Sequence, residues 1–445
     1  MKLNWLQFIF ASLLVTILVG CDDPIASGKK KQGDKGRSEY GQLPGLRSTH
    51  NEFLRLELAR LESEEATPKL LSTGDKWNPS TAQPTTREER LLGLIARGGA
   101  GVLADRAEKL LPTDRFEFNT VRLRRATDFR DRYVTQQTKL REILDQGDLD
   151  FRIQHTKGLF ARFDFIDALR LGIRLEMIEA GWHLANDKPD KALRCVGYCF
   201  QLLEQMAKQP HVIPRIRAVH LRRDVLRVVA ALVENPNTNR QIQELAADLF
   251  DRQILNWPSD EIAWIGDRAQ GLHTYEIVRD GYFTSLLTEA EVEEYKQQSP
   301  KMLKGVNQLV MKGIDEDERF YLQRMRQVID SCQQPYYLRD SLLTQIEEDL
   351  RLLRDTVDSP RIADLFLFGD LREGQHLQAM DRALVEAWWL ALKTACEQTV
   401  EIQTSPLTGE PYIVEKTTVS VKVSGFAKAE NDHLIVVPIR EAFLE

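Results

Sequence analysis

The stretch Asp164-Phe165-Ile166-Asp167-Ala168-Leu169-Arg170-Leu171-Gly172-Ile173-Arg174-Leu175-Glu176-Met177-Ile178-Glu179-Ala180-Gly181-Trp182-His183-Leu184-Ala185 decides the fold. Phe165, Ile166, Leu169, Ile173, Met177 and the Ala180/Gly181 pair recur at spacings of three and four, the period of a helix with a buried face. Asn186-Asp187-Lys188-Pro189-Asp190 then reads as a turn, with Asp190 as the N-cap of the next helix. That helix runs to about Lys208, with Ala192, Val196, Cys199, Leu202, Leu203 and Met206 inward. Two helices joined this way form an αα-hairpin.

The helical period continues towards the C-terminus. Pro210 and Pro214 frame the start of a helix that ends near Glu234, before Asn235-Pro236-Asn237-Thr238-Asn239. Gln241 to Leu255 is the next, stopped by Trp257-Pro258, and Ser259 caps its successor. Thr288-Glu289-Ala290-Glu291, Ser299-Pro300 and Ser359-Pro360 read as further starts, with a break near Gln334-Pro335. The last helix spans Gly374 to about Val400, and Leu377, Met380, Leu384, Ala387/Trp388, Ala391 and Ala395 share its inward face. Trp389 points about 100° away from Trp388 and is expected beneath the strands that follow.

Those strands are announced by the turn cluster Ser405-Pro406-Leu407-Thr408-Gly409-Glu410-Pro411. Tyr412 to Val423 alternates with β-branched residues, and His433 to Ile439 repeats that character, so two or three antiparallel strands are expected. The fold class is mainly α: an irregular multi-helix bundle of αα-hairpins with a small C-terminal antiparallel β element.

Upstream of the hairpin, 113–144 is an Arg- and Asp-rich helical tract. Thr86-Arg87-Glu88-Glu89 is a capping box that opens a helix towards Leu111, interrupted by Gly98-Gly99-Ala100-Gly101. A phosphate-binding glycine loop would follow a strand and lead into Lys-Ser/Thr; neither is present, which leaves a kink or close helix packing. Residues 51–65 form a short amphipathic helix, and 66–86 is loosened by Pro68, Pro79 and Pro84. From Cys21 to about residue 50 the chain is rich in Gly, Ser, Lys and Asp, a tether that buries too little to offset its ordering entropy.

The chain begins with Lys2, an apolar run from Trp5 to Val19, and Leu18-Val19-Gly20-Cys21. This is the layout of an export signal, and its end resembles the lipobox of bacterial lipoproteins. The resemblance implies cleavage after Gly20 and lipidation of Cys21. An apolar run of about 15 residues is short for a membrane span. Asp22 resembles the inner-membrane retention signal of some such proteins. The organisation expected is a signal over 1–20, a tether over 21–50, a short helix and linker over 51–86, a helical body over 87–404 and a β appendage over 405–445.

Composition agrees with an exported globular body: 42% hydrophobic, 29% charged, net charge −7 and pI near 5.8 over 445 residues. An acidic exported chain argues against nucleic acid as partner. Besides Cys21 there are Cys195, Cys199, Cys332 and Cys396. They read as small buried thiols or as a long-range disulfide such as Cys332–Cys396.

No nucleophile elbow, His-Glu-x-x-His, dinucleotide fingerprint or CxxC pair is present, so no catalytic residue, metal ligand or cofactor is indicated. The eight histidines show no ligand spacing. Asp315-Glu316-Asp317-Glu318 lacks the alternation and glycine of a calcium loop and reads as a solvated, helix-starting run. Arg215 and Arg222 lie seven apart on one helical face, and Arg223 and Arg227 four apart. Either these arginines pair with acidic neighbours inside the bundle, or they form a basic face for an anionic partner.

Asp187-Lys188-Pro189-Asp190-Lys191-Ala192-Leu193, the Pro210–Pro214 helix start and Pro406-Leu407-Thr408-Gly409-Glu410-Pro411-Tyr412 also carry a family resemblance. In this order they resemble an uncharacterised family of bacterial envelope proteins, with a signal, a helical-hairpin body and a Pro-x-Thr/Ser-Gly-x-Pro turn before a small β-strand pair. The hairpin is also distantly similar to one tetratricopeptide unit, without its repeat. The function expected is a lipid-anchored, periplasm-facing scaffold or interaction protein with an unknown protein partner. The alternative is an envelope hydrolase with a site assembled from scattered carboxylates or histidines.

Overall fold

The computed structural model describes residues 87, 88, 90, 91, 99–113, 115–151, 153–286, 300–356, 362, 363, 367, 371–427 and 434–440. The signal, Cys21, Asp22, the tether, the 51–65 helix, the 66–86 linker and the starts at 288–291 and 359–360 lie outside the described residues.

The hairpin forms as its period requires: α3, Asp164–Ala185, packs along α4, Pro189–Ala207. Before it come α1, Ala100–Glu108, and α2, Thr120–Leu144, then a short 3-10 turn over His155–Phe160. The α4 start lies two residues before the one expected, with Lys188 and not Asp190 at the cap position. Pro189 takes the first helical position, and Asp190 sits in the first turn, where a negative charge favours the helix dipole. α3 is buried nearly all round. At Gly181 a Cβ would stand 2.1 Å from Phe118 Cε2, so only glycine admits that ring. The glycine break at 98–101 is both a start and a close contact. Gly99 precedes α1 with φ +74°, and a Cβ at Gly101 would stand 2.9 Å from Asp167 Oδ2.

Five helices complete the front and back of the body: α5, Val212–Glu234; α6, Arg240–Leu255; α7, Asp260–Ile277; α8, Pro300–Ser331; and α9, Tyr336–Thr356. Their caps follow the sequence. The Asn239 side chain accepts from Ile242 N–H, and Ser259 accepts from Glu261 N–H. A π-turn over Val278–Tyr282 extends α7, with Gly281 at φ +88°.

The last helix, α10, is Leu371–Ala395 and packs on α5 and α6. It runs parallel to α5: a Cβ at Gly374 would stand 3.9 Å from Ile216 Cδ1, and farther along Asp381 meets Arg222. The inward face of α10 keeps the expected Ala387, Trp388, Ala391 and Ala395, all buried, but its first turns differ from the apolar stripe expected. Leu377, Met380 and Leu384 are half-buried, whereas Gln375, Gln378 and Asp381 are buried; Gln375 meets Arg339 and Asp381 meets Arg222 inside. Trp388 is buried and stacks at 6.4 Å on Phe250 of α6.

The chain ends in a three-stranded antiparallel sheet of order β1-β2-β3: Ile413–Lys416, Ser420–Ser424 and Ile435–Pro438. Val423 pairs with Val414 and Ile435, and Val421 with Lys416 and Val437. Val421, Val423, Ile435 and Val437 are buried and join the core of the helical body. Tyr412 donates to Glu386 Oε2 at 2.8 Å, Gln243 of α6 to Pro438 O at 2.7 Å, and Arg440 to Asn235 O at 2.9 Å. Trp389 is directed to α6, where its indole N–H is bound by Asp251, and not to the strands. Just before β1, Tyr412 meets α10 at the Ala383 carbonyl and the Glu386 carboxylate. Among the described residues no helix is long and apolar enough to cross a membrane.

Candidate functional site

The arginines of α5 are brought to two different places. Arg215 and Arg222 are buried and face α7 and α10; Arg223 and Arg227 are half-buried and face outward. The two pairs therefore do not form one basic face. Arg215 donates to Asp260 Oδ1 at 3.1 Å, to Pro258 O at 3.0 Å and to Ser259 O at 2.7 Å. Asp260 is shared with Arg339 of α9, at 2.9 Å, and Arg339 also reaches Gln375 of α10 at 3.2 Å. Arg222 pairs with Asp381, and its guanidinium lies 4.7 Å from the Trp257 ring. Arg382 covers Trp257 at 5.0 Å and pairs with Glu386, which accepts from Tyr412. A buried polar line thus runs from α9 through α7, α5 and α10 to the sheet.

Pairing is what makes these charges tolerable, since an isolated ion in the interior is far costlier than a hydrogen-bonded pair. Burial still pushes the Asp381 carboxyl up to about 6, against the pull of Arg222. Between α5 and α10 lies a cavity of about 10 Å³, lined by Arg215, Arg222, Trp257, Gln378 and Asp381. Asp381 Oδ1, both polar atoms of Gln378, and Nε of Arg215 and Arg222 are buried without a protein hydrogen bond. The volume suits one water. No substrate atom larger than water fits.

A second polar cluster ties the 3-10 turn to α7. His211 Nδ1 accepts from Ile213 N–H at 3.1 Å, which places the proton on Nε2, facing Gln270 Oε1. Gln270 in turn donates to Gly158 O at 2.8 Å. Asp267 Oδ1 stands 3.6 Å from His211 Nε2. Desolvation lowers His211 to about 3, helped by His155, and raises Asp267 to about 7. Neither histidine was distinguished by spacing, because the cluster is assembled from 155, 211, 267 and 270.

The acidic run is corrected by its partners. Asp315–Glu318 lies inside α8, not at a helix start, and Asp317 and Glu318 are 3% and 2% exposed. Arg279 of the π-turn binds Asp315 at 2.7 Å and Glu318 at 2.5 Å, and Asp317 Oδ2 accepts from Ile362 N–H at 2.6 Å.

Cys195, Cys199, Cys332 and Cys396 are all free, so no Cys332–Cys396 disulfide forms. Burial pushes every one of these thiols up, Cys332 to about 12 and Cys396 to about 11, which keeps them protonated and unreactive at neutral pH. Among the described residues no three His, Cys, Asp or Glu side chains are grouped to hold a metal ion. The chain matches no known family, no curated protein and no solved structure.

Proposed function

We propose that the chain is a lipid-anchored, periplasm-facing helical scaffold or interaction protein of the bacterial envelope. The observation that carries this reading is Leu18-Val19-Gly20-Cys21 after an apolar run, with Cys21 as the lipid acceptor and Asp22 favouring the inner membrane. The use of buried charge in the body supports it. Arg215 and Arg339 with Asp260, and Arg222 with Asp381, are engaged across helices, in a junction with room for one water.

The test is labelling with a tagged fatty acid, followed by membrane fractionation. Wild type incorporates the label and sediments with membranes; Cys21→Ala does neither. A Cys21→Ala chain that still incorporates label and sediments like wild type overturns the anchoring. The hydrolase alternative draws on Asp267, a carboxyl raised to about 7 beside His211. Ester or peptide hydrolysis by the purified chain that is lost in Asp267→Asn would replace the scaffold reading.

A further inference from the structure

On the outward face of α5, Arg217 and Arg223 flank His220 in an otherwise acidic chain. His220 is exposed, with Arg217 and Arg223 half-buried on either side of it, three residues before and after. Among the described residues, no carboxylate forms an ion pair with any of the three. The nearby carboxylates are taken: Asp105 and Asp167 by Arg170, Glu108 and Asp224 by Arg174. Arg223 reaches only the Met380 sulfur, at 3.8 Å. Like charges crowd the face. Arg217 is lowered by desolvation and by Arg170, against the pull of Asp167 and Glu108, and His220 by desolvation, Arg223 and Arg217, against that of Asp224. A net charge of −7 makes this crowding a local exception, and conflicts offset only in part concentrate at functional sites.

We propose that this face is the docking surface for an acidic amphipathic helix of a partner protein, with Arg217, His220 and Arg223 taking its carboxylates. The proposal deepens the scaffold reading and rests on it. Met380 of α10, half-buried beside Arg223, supplies an apolar flank for the partner's other face. Methionine adapts to irregular surfaces, and arginine binds carboxylates in a two-point fork. A protein helix is favoured over a membrane because Arg217 and Arg223 are half-buried, and glutamate side chains projecting from a helix approach such groups more readily than a flat bilayer does. The face from Ile213 to Arg227 is about 20 Å long, room for three to four turns.

The test uses the purified full-length chain and two synthetic amphipathic helices of about 16 residues. They share one apolar face; one carries glutamates on the other face, the second carries lysines. The glutamate peptide is expected to bind and the lysine peptide not, with affinity falling as salt rises. The double variant Arg217→Gln, Arg223→Gln is expected to weaken binding at least tenfold. Because those two side chains are half-buried, His220→Glu on the exposed ridge is measured as well, and is expected to lose a similar factor. Unchanged binding by a folded variant, absence of glutamate-peptide binding, or tighter Arg217- and Arg223-dependent binding to phosphatidylglycerol vesicles overturns the proposal. Peptide binding that persists in a chain shown not to be lipidated leaves the surface standing and removes only the envelope location.

Discussion

Arg222 of α5 and Asp381 of α10 meet inside the protein with side-chain exposures of 3% and 1%, 159 residues apart in the chain. Their pairing joins two parallel helices through charge where an apolar contact would have sufficed. The cost of such a pair lies in breaking it on one side.

Arg222→Met or Asp381→Leu alone is expected to lower stability by about 3–5 kcal/mol, because either leaves an uncompensated buried charge. The double variant is expected to recover most of that loss. Urea unfolding of the four proteins gives the coupling energy. Additive single losses would mean that the pair is not coupled.

Asp267 and His211 give opposing pH slopes. The folded carboxyl is raised from 3.8 to about 7, so the folded state holds the extra proton, and stability from this group rises as pH falls from 7 towards 4. The folded imidazole is lowered from 6.5 to about 3, so stability from His211 is lost as pH falls below 6.5. The two largely cancel in wild type. Asp267→Asn removes the first slope, and its melting temperature should fall steeply between about pH 6.5 and 4. A variant that tracks wild type across that range would contradict the assignment.

Tyr412→Phe withdraws a donor from the buried Glu386 and is expected to cost about 1–3 kcal/mol. Its effect should be local. Amide exchange at Val421 and Val423 should accelerate while the α3–α4 hairpin keeps its protection.

Gly181→Ala forces a methyl group against Phe118 and should destabilise by about 1–3 kcal/mol. Combining it with Phe118→Leu should return part of that loss, read as a rise in melting temperature. No recovery would place the strain elsewhere.

The four body cysteines should resist a thiol reagent in the folded protein and react together once it is unfolded. Rapid modification of Cys195 or Cys199 under native conditions would contradict their burial.

The helices were legible where one apolar face repeats over many turns: α3 spans the residues its period marks, and Asn239 and Ser259 cap as their types predict. What escaped was decided by distant partners. Asp317 and Glu318 look solvated until the Ile362 amide and Arg279 are known to stand beside them. Leu377 and Met380 read from the sequence as the core side of α10, but Gln375 and Asp381 occupy it because Arg339 and Arg222 wait there. Spacing separated Arg215 and Arg222 from Arg223, but α5 has neighbours on both flanks, so spacing did not reveal which side was inner. Trp389 was assigned by angle alone; Asp251, which binds it, comes from another helix.

The 159-residue separation of Arg222 from Asp381 also sets a clock. At a synthesis rate of roughly 5–20 residues per second, α10 follows α5 out of the ribosome by about 10–30 s. Through that interval the α3–α4 hairpin can close, since its contacts are local, while two arginines of α5 face an interior that lacks Asp381. A nascent chain paused before α10 is therefore a partly collapsed species with exposed apolar surface, the kind of species that chaperones hold.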